Sequence, residues 1–429
     1  MNPTKKGVSL INESLAIIQP SNKGLGRMDQ ALALNEVPEL GWDLLREDLS
    51  LPTAVLYEEK LAHNLQWMQA FAAAYGAKLA PHGKTTMAPK LFLRQLEFGA
   101  WGITLATAAQ TRAAYEHGVR RVLMANQLVG KQNMGIISRL LEDPEFEYFC
   151  LVDSPQQVGL LGDFFQAHDQ RLNVLLEWGA DDGRTGVRNR EQLQALTAAL
   201  SKWREQILLC GVEVYEGVLN DEASIRRYLH NAVDVARDLA NENAFHRSPI
   251  ILSGAGSSWY DVVADVFSTV EIDHPVDVVL RPGCYLTHDV GVYRTAQEQI
   301  QVRNPVARSM EPSLQPALQL WAYVQSVPEK EKAIIALGKR DAAFDAGLPV
   351  PALHYRPGNA EPVAAPQGWT LTRMMDQHAY LHIAEGDDIR VGDMIAFDIS
   401  HPCLTFDKWR YLPIVDSEYR VIDIVQTFF

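Results

Sequence analysis

The chain of 429 residues is long enough for two or three domains of roughly 100–200 residues each. With 47% hydrophobic and 21% charged residues, it can bury a large core and is not expected to be mainly disordered. Its 39 basic and 53 acidic residues give a net charge of −14, which argues against nucleic acid or an anionic membrane as the main partner.

Neither a membrane span nor a secretory leader is expected. No apolar run approaches the roughly 18 residues that a transmembrane helix needs. Lys5 and Lys6 precede an apolar stretch, but Asn12 and Glu13 interrupt it, so no signal peptide is predicted. Four cysteines scattered along the chain do not form a disulfide framework and fit a reduced compartment, so we expect a cytoplasmic protein.

The first elements are an arm and a helix. Residues 1–50 are weakly patterned and are expected to form an N-terminal arm that docks on a larger body. From Glu58 to Gly76, apolar residues recur at helical spacing and the glycine is a suitable stop, which predicts a helix.

Within residues 51–290, eight short apolar runs alternate with helical segments. Such runs are typical of strands buried on both faces, and eight of them predict an α/β fold, a (β/α)₈ TIM barrel. An open doubly wound sheet is the alternative. The runs are KLAPHGK near residue 80, GITLAT near 104, VLMANQ near 124, YFCLVD near 150, NVLLEWG near 176, LCGVEVYEG near 213, IILSGAGS near 253 and DVVLRPGCY near 281.

Residues 291–429 have a different character, with β-branched and aromatic runs separated by Gly, Pro and Asp. They predict a second, mostly β C-terminal domain. The runs begin with VGVYRTAQ near residue 290 and continue with LQLWAYVQSV, KAIIALG, GWTLTRMMDQHAYLHI, DMIAFDI and YRVIDIVQTFF.

Chemistry in a barrel lies at the carboxyl ends of the strands. Lys84 follows the first predicted strand, within Pro81–Thr85. Burial in a barrel mouth would lower the pKa of its amine and make it a nucleophile able to form a Schiff base. An ordinary exposed loop lysine is the alternative.

A run of small residues follows the seventh predicted strand and leads into a helix. Backbone N–H groups in such a run can surround a phosphate, and barrels often bind phosphate after strands seven and eight. A plain glycine-rich turn is the alternative. The candidate residues are Ser253, Gly254, Ala255, Gly256 and Ser257.

Two further residues follow the fifth and sixth strands. Arg184 could pair with an oxyanion of a cofactor, or could form a solvated salt bridge. Tyr215 could hydrogen-bond a ring or a phosphate, or could be a buried structural tyrosine.

His401 and Cys403 form a candidate metal pair in the second domain. On an extended segment their side chains would point the same way, and imidazole with thiolate suits zinc. Catalytic zinc usually has three protein ligands, so water, substrate or another side chain such as His378 would have to complete the site. A buried cysteine beside an unrelated histidine is the alternative.

A nucleophilic lysine, a phosphate-binding loop and an arginine together indicate pyridoxal 5′-phosphate (PLP). These motifs resemble the D-serine dehydratase and D-threonine aldolase group of fold-type III, alanine-racemase-like PLP enzymes, and the resemblance covers nearly all of the chain after about residue 50. It rests on PHGKT, LATAAQ, VLMANQ, DDGRTGV, SGAGSS, RPGCY, GKRDAAFDAGLP, DQHAYL and SHPCLTFDKW.

The resemblance implies roles that spacing alone does not. Lys84 would bind the PLP aldehyde, the amides around Gly254–Ser257 would hold its phosphate, Arg184 would lie near the ring phenolate and Tyr215 near the ring. His401 and Cys403 would bind zinc beside the substrate. The enzyme would be a head-to-tail homodimer in which the β-domain of one subunit helps to close the barrel mouth of the other.

The expected reaction is PLP- and zinc-dependent dehydration of a 3-hydroxy D-amino acid, such as D-serine, to a 2-oxo acid and ammonia. The alternatives are aldol cleavage to glycine and an aldehyde, racemisation, or a non-catalytic PLP carrier. In the family that the sequence resembles, the dehydratases tend to have a thiolate at the position of Cys403 and the aldolases a carboxylate, which favours dehydration.

Overall fold

The computed structural model describes residues 16–429. Its first three strands precede the barrel, and the barrel strands run from β4 to β11. The strands are β1 (Ile17–Ile18), β2 (Leu32–Ala33), β3 (Thr53–Tyr57), β4 (Lys78–Leu79), β5 (Ile103–Leu105), β6 (Arg121–Gln127), β7 (Glu147–Val152), β8 (Leu172–Trp178), β9 (Ile207–Val214), β10 (Ile250–Gly254) and β11 (Val276–Leu280).

Most of the helices alternate with the barrel strands, and the last short helix belongs to the C-terminal β-domain. The predicted first helix is confirmed as α1. The helices are α1 (Glu58–Ala74), α2 (Pro89–Glu97), α3 (Ala108–Glu116), α4 (Lys131–Leu140), α5 (Pro155–Ala167), α6 (Arg190–Lys202), α7 (Glu222–Asn241), α8 (Tyr260–Ser268), α9 (Val292–Arg303), α10 (Pro305–Ser309) and α11 (Cys403–Phe406).

The eight parallel strands β4–β11 close into a barrel. Each pairs with the next from β5 to β11, β11 pairs with β4, and a bridge between His82 and Thr104 joins the first strand to the second. The interior holds a separate apolar cluster that includes Phe149, Leu175 and Ile251, while the opposite strand faces pack under the helices. The predicted barrel is therefore confirmed, and the open sheet is excluded.

The second body is an antiparallel β-structure, as predicted. Strand β3, which precedes the barrel in sequence, pairs with β12 and β19 and so ties the two parts together. The strands are β12 (Leu318–Glu329), β13 (Lys332–Ile335), β14 (Val350–Tyr355), β15 (Val363–Ala364), β16 (Thr370–Met374), β17 (Ala379–His382), β18 (Met394–Asp398), β19 (Tyr411–Val415) and β20 (Val421–Gln426).

One predicted β-run is wrong. VGVYRTAQ forms the start of helix α9, which begins at Val292. The cause is local capping: the Asp289 carboxylate accepts hydrogen bonds from the backbone N–H groups of Gly291, Tyr293 and Arg294 at 2.9–3.3 Å. These bonds satisfy donors of the first helical turn and outweigh the β propensity of the side chains.

Residues 16–50 pack against the β-domain. Ile18, Leu25 and Leu44 share an apolar cluster with Trp321 and other β-domain side chains. Lys23 pairs with Asp341 at 2.6 Å. The rest of the predicted arm, residues 1–15, lies outside the described residues. None of the helices between residues 16 and 429 is long and apolar enough to span a membrane.

Candidate active site

A cavity of about 250 Å³ opens at the carboxyl ends of the barrel strands. It contains the predicted lysine, arginine and tyrosine together with part of the glycine-rich loop. The lining residues are His82, Lys84, Ala106, Ala125, Asn126, Leu151, Glu177, Arg184, Thr185, Glu213, Tyr215, Ala255, Gly256 and Arg281.

Lys84 lies in a 3₁₀ turn, Gly83–Thr85, directly after the first barrel strand. Burial, and then the positive charges of Arg184 and Arg281, lower the pKa of its amine, while the nearby thiols act in the opposite direction. By contrast, Lys78 and Lys90 are paired with carboxylates at 2.7 and 2.5 Å. Lys84 is thus the amine best placed to act as a nucleophile in this mouth.

Arg184 and Tyr215 lie together in the cavity. The guanidinium carbon of Arg184 is 4.2 Å from the centroid of the Tyr215 ring, a cation–π contact. Burial, and then the Glu216 carboxylate, raise the pKa of the Tyr215 phenol. The pair presents a cation and a phenol to a bound ligand.

The glycine-rich loop is held by an unexpected partner. The N–H groups of Ala255 and Gly256 donate to the buried Glu216 carboxylate at 3.1 and 2.6 Å, and Ala255 has φ of +79°. Ser253 lies within β10, and its hydroxyl donates to the Val279 carbonyl at 3.1 Å. These groups are already paired, so they are less free for a phosphate than the sequence pattern suggests.

The other end of the loop contacts the segment that follows strand β11. Ser257 Oγ accepts hydrogen bonds from the N–H groups of Gly283 and Cys284 at 3.2 and 3.1 Å. A Cβ atom at Gly283 would lie 2.7 Å from Thr85 Oγ1, so glycine is needed there. The two amides are thus already paired, whereas the Ser257 hydroxyl only accepts in these bonds and can donate its own proton to an anion. The position of RPGCY after the eighth strand could have indicated this contact.

The cavity floor holds a buried ion pair that the sequence reasoning missed. Arg281 donates to the Glu213 carboxylate and, at 2.9 Å, to the Val214 carbonyl. Burial raises the pKa of Glu213 to about 8, although Arg281 opposes this. Arg281 Nε, Glu213 Oε2 and His82 Nδ1 are buried without hydrogen-bond partners among residues 16–429, as expected for atoms that contact a polar ligand.

The predicted metal pair stands at the same mouth. Hydrogen bonds from Cys284, and then from His401 and Thr85, lower the pKa of the Cys403 thiol to about 4, although burial opposes them. A hydrogen bond to Cys403 raises the pKa of His401 to about 9, burial opposes it, and a further bond joins His401 Nδ1 to Asp345 at 2.8 Å. A carboxylate on one ring nitrogen is the usual support of a metal-binding histidine.

The local backbone at this pair differs from the expectation. Pro402 has helical angles, and Cys403 begins helix α11, so the pair does not lie on an extended segment. His378 is exposed at the turn between β16 and β17, and among the described residues no hydrogen bond or ion pair joins it to His401 or Cys403. Across residues 16–429, no three His, Cys, Asp or Glu side chains already form a metal-binding group.

The β-domain lines the mouth of its own barrel. Cys403 Sγ lies 3.5 Å from Oγ1 of Thr85, the neighbour of Lys84. The β-domain therefore contributes a side chain to the mouth of its own barrel. The reason is the pairing of β3 with β12 and β19, which holds the domain against the barrel.

A lysine of lowered pKa and a glycine-rich loop at the mouth of a (β/α)₈ barrel, with a β-domain beside them, match the architecture of fold-type III PLP enzymes. Residues 57–287, more than half of the chain, match the family "Alanine racemase, N-terminal domain", and residues 317–415 match "Putative serine dehydratase domain". The chain belongs to the D-serine dehydratase/D-threonine aldolase-like family of alanine-racemase-fold PLP enzymes.

Individual relatives are distant but extend over nearly the whole chain. D-threonine aldolase from Arthrobacter sp. is 23% identical over 90% of this chain and 94% of its own. The structure of D-threonine aldolase from Filomicrobium marinum superposes with a TM-score of 0.75 at 21% identity, covering 90% of this chain and 97% of that one. D-threo-3-hydroxyaspartate dehydratase from Delftia sp. gives 0.70 at 19%, covering 90% and 99%, and a cysteine-to-alanine variant of a D-threo-3-hydroxyaspartate dehydratase has a metal-free structure.

Proposed function

We propose that the protein is a PLP- and zinc-dependent lyase that dehydrates a 3-hydroxy D-amino acid, such as D-serine, to a 2-oxo acid and ammonia. The observation that carries this proposal is the 3.5 Å distance between Cys403 Sγ and Thr85 Oγ1. This contact places His401 and Cys403 of the β-domain beside Lys84 of the barrel. Lys84 as a base and the histidine–thiol pair as metal ligands could then act on adjacent atoms of the substrate.

The cavity fits PLP in the chemistry of its donors. Buried polar atoms without partners line the floor, and Arg184 and Tyr215 face the cavity. In the loop after β10, the Ser257 hydroxyl accepts from the Gly283 N–H, so its own proton can be donated to an anion. When bound, PLP supplies an electron sink for charge developing at the substrate Cα. Lys84 would bind the cofactor and then, as a free amine, take the Cα proton, a role that its lowered pKa supports.

The metal pair fits zinc in ligand type. Imidazole and thiolate are usual zinc ligands, and the Asp345 carboxylate orients the His401 ring. When bound, zinc would supply a Lewis acid that makes the β-hydroxyl a better leaving group. A racemase or a PLP carrier has no leaving group to activate, so it has no use for this pair.

Aldol cleavage is the second candidate, because the named relatives include D-threonine aldolases as well as a dehydratase. Cleavage needs a base that removes the β-hydroxyl proton, whereas dehydration needs the hydroxyl to leave. The thiol at Cys403 and the resemblance to the family's dehydratases support dehydration.

The test is product analysis with three substrates. Zinc-loaded holoenzyme is supplied with D-serine, D-threonine or D-threo-3-hydroxyaspartate, and 2-oxo acid, ammonia, glycine and aldehyde are measured. Dehydration predicts a 2-oxo acid and ammonia in equal amounts, with production stopped by a chelator and restored by zinc. Glycine and an aldehyde in equal amounts would replace the proposal by aldol cleavage, and full activity in metal-free enzyme would remove the role of zinc.

We also propose a homodimer. Phe344, Met375 and Leu404 are apolar side chains that are 39–45% exposed. Leu404 directly follows Cys403, and Phe344 lies near it because the Ala343 N–H donates to Thr405 Oγ1 at 3.1 Å. Lys339 joins Met375 to this surface: its N–H donates to the Met375 carbonyl at 2.9 Å and its Nζ lies 5.0 Å from the centroid of the Phe344 ring. An apolar surface beside the mouth supports a second subunit covering it.

A further inference from the structure

The N-terminal arm contacts a loop that leads to the active site. This loop, residues 338–347, lies between strands β13 and β14. In the arm, Lys23 Nζ is 2.6 Å from a carboxylate oxygen of Asp341 and donates to the Arg340 carbonyl at 2.9 Å. A residue that precedes the barrel in sequence thus binds two residues of the loop.

The neighbours of Lys23 fix its position. Its ammonium lies 3.8 Å from the centroid of the Trp409 ring, a cation–π contact. The carbonyl of Gly24 accepts the Thr53 hydroxyl at 2.8 Å. Gly24 has φ of +76°, and a Cβ atom there would lie 2.7 Å from the Trp409 ring, so only glycine lets the arm approach this closely.

The Asp341 carboxylate is buried and depends on this cation. Asp341 is 2% exposed, and its second carboxylate oxygen accepts the Gly338 N–H at 2.8 Å. Among residues 16–429, Lys23 is the only basic side chain that forms an ion pair with it. A buried carboxylate without a cation is costly, because burial removes its hydration. The arm therefore supplies the charge that allows Asp341 to stay buried.

The same loop is fastened to residues 400–405, the segment that carries His401 and Cys403. A displacement of the loop therefore moves both of these side chains. Within the part of the chain that the structure describes, three hydrogen bonds join the two segments: the Ala343 N–H to Thr405 Oγ1 at 3.1 Å, the Ser400 hydroxyl to the Gly347 carbonyl at 2.5 Å, and His401 Nδ1 with Asp345 at 2.8 Å.

We propose that Lys23 is a positioning residue for the active site. By pairing with Asp341 it fixes the 338–347 loop, and through this loop it fixes the orientation of His401. This inference rests on the proposed function, in which His401 acts beside the substrate. A carboxylate on one ring nitrogen sets the orientation of a histidine, and rates are sensitive to displacements of about 1 Å in a catalytic site.

Docking of the arm does not require the Lys23 ammonium. Ile18, Leu25 and Leu44 are buried in one apolar cluster with side chains of the β-domain. Burial of apolar surface holds the arm in place without any charge. The Lys23 side chain is 41% exposed, and its ammonium contacts the 338–347 loop and Trp409 rather than this cluster. Its contribution is therefore to the loop.

Hydrogen exchange measured by mass spectrometry tests the contact without turnover. Lys23→Met removes the charge and keeps an unbranched side chain over Trp409. We expect amides of residues 338–347 and 400–405 to exchange about tenfold faster, between the effects of losing an exposed and a fully buried ion pair, with helix α1 unchanged. The matched control is Arg27→Met, which removes an 89% exposed arginine of the same arm and should leave exchange unchanged.

Kinetics of the zinc- and PLP-loaded enzyme test the positioning itself. Lys23→Met should lower kcat by about 10–100-fold, as expected for displacement of a catalytic group by up to about 1 Å. The PLP dissociation constant should stay that of the wild type, because Lys84 and the loop after β10 lie on other elements. Lys23→Arg keeps a cation for Asp341 and should restore most of kcat. A merely structural role would lower the melting temperature without this separation of kcat from PLP affinity.

A double-mutant cycle tests the route through Asp341. If Lys23 acts through this carboxylate, adding Lys23→Met to Asp341→Asn should reduce kcat no further. Independent, multiplicative losses would overturn the route. If Lys23→Met does not fold, Lys23→Gln takes its place, since it removes the charge and keeps a donor for the Arg340 carbonyl.

The outcomes separate this inference from the proposed function. Wild-type exchange of residues 338–347 in Lys23→Met, or equally faster exchange throughout the chain, overturns the role of Lys23. A loosened loop with unchanged kcat overturns its link to the site. A wild-type enzyme that forms no 2-oxo acid overturns the proposed function, and exchange of residues 400–405 then still decides whether Lys23 holds the His401 segment.

Discussion

Replacing Glu216 tests how the glycine-rich loop is held in place. Its fully buried carboxylate accepts the N–H groups of Ala255 and Gly256 at 3.1 and 2.6 Å. Glu216→Ala leaves two buried donors unpaired, at about 1–3 kcal/mol each, or about 2–6 kcal/mol together. Two effects reduce this loss of stability. Burial raises the pKa of Glu216, which means that the carboxylate is costly to bury and that its removal recovers this cost. The backbone of Ala255, which has φ of +79°, can also relax once the carboxylate is gone.

We therefore expect Glu216→Ala to lower the free energy of unfolding by about 2–3 kcal/mol, the lower part of that range. Glu216→Gln keeps one acceptor oxygen and should lose about half as much. The measurement is urea unfolding of the cofactor-free protein, with the PLP dissociation constant as a second readout. The denaturant slope should stay constant, so that the midpoint reports stability.

The matched control is Glu222→Ala. This carboxylate is 42% exposed and pairs with Arg226 at 2.8 Å, so its loss should change stability by less than about 1 kcal/mol. Glu216→Ala with the midpoint and the PLP affinity of the wild type would refute the reasoning, because it would show that the loop needs no carboxylate partner.

Three further predictions concern the lysine, the buried carboxylate and the subunit contact. Lys84→Ala should abolish the borohydride-reducible PLP adduct, and peptide mapping of that adduct to Lys78 or Lys90 in the wild type would contradict the assignment. Because burial raises the pKa of Glu213 to about 8, the folded protein binds more protons than the unfolded chain between about pH 4.5 and about pH 8, so the unfolding free energy should fall as pH rises through this window. Glu213→Gln should flatten that slope in urea titrations at several pH values, and an unchanged slope would show that another group causes it. Phe344→Asp should weaken the dimer and, if the site is shared, lower activity in parallel; sedimentation that finds a fully active wild-type monomer would exclude the dimer.

The sequence by itself determined the barrel and the order of the residues around its mouth. Strands buried on both faces need continuous short apolar runs, and helices between them need a different period, so the eight units are visible without a structure. The carboxyl-end rule then placed Lys84, Arg184, Tyr215 and the loop after β10 in one mouth, where the structure brings them together.

Only the tertiary structure decided what these residues contact. The sequence did not indicate a role for Glu216 or Arg281, because a single Glu or Arg is usually an exposed side chain. Only the structure shows that both are buried and which groups they bind. The meeting of Cys284 with Cys403, 119 residues apart, depends on how strand β3 fastens the β-domain to the barrel. Periodicity reports which side of an element is buried, whereas contacts between distant segments follow from packing, which local sequence does not encode.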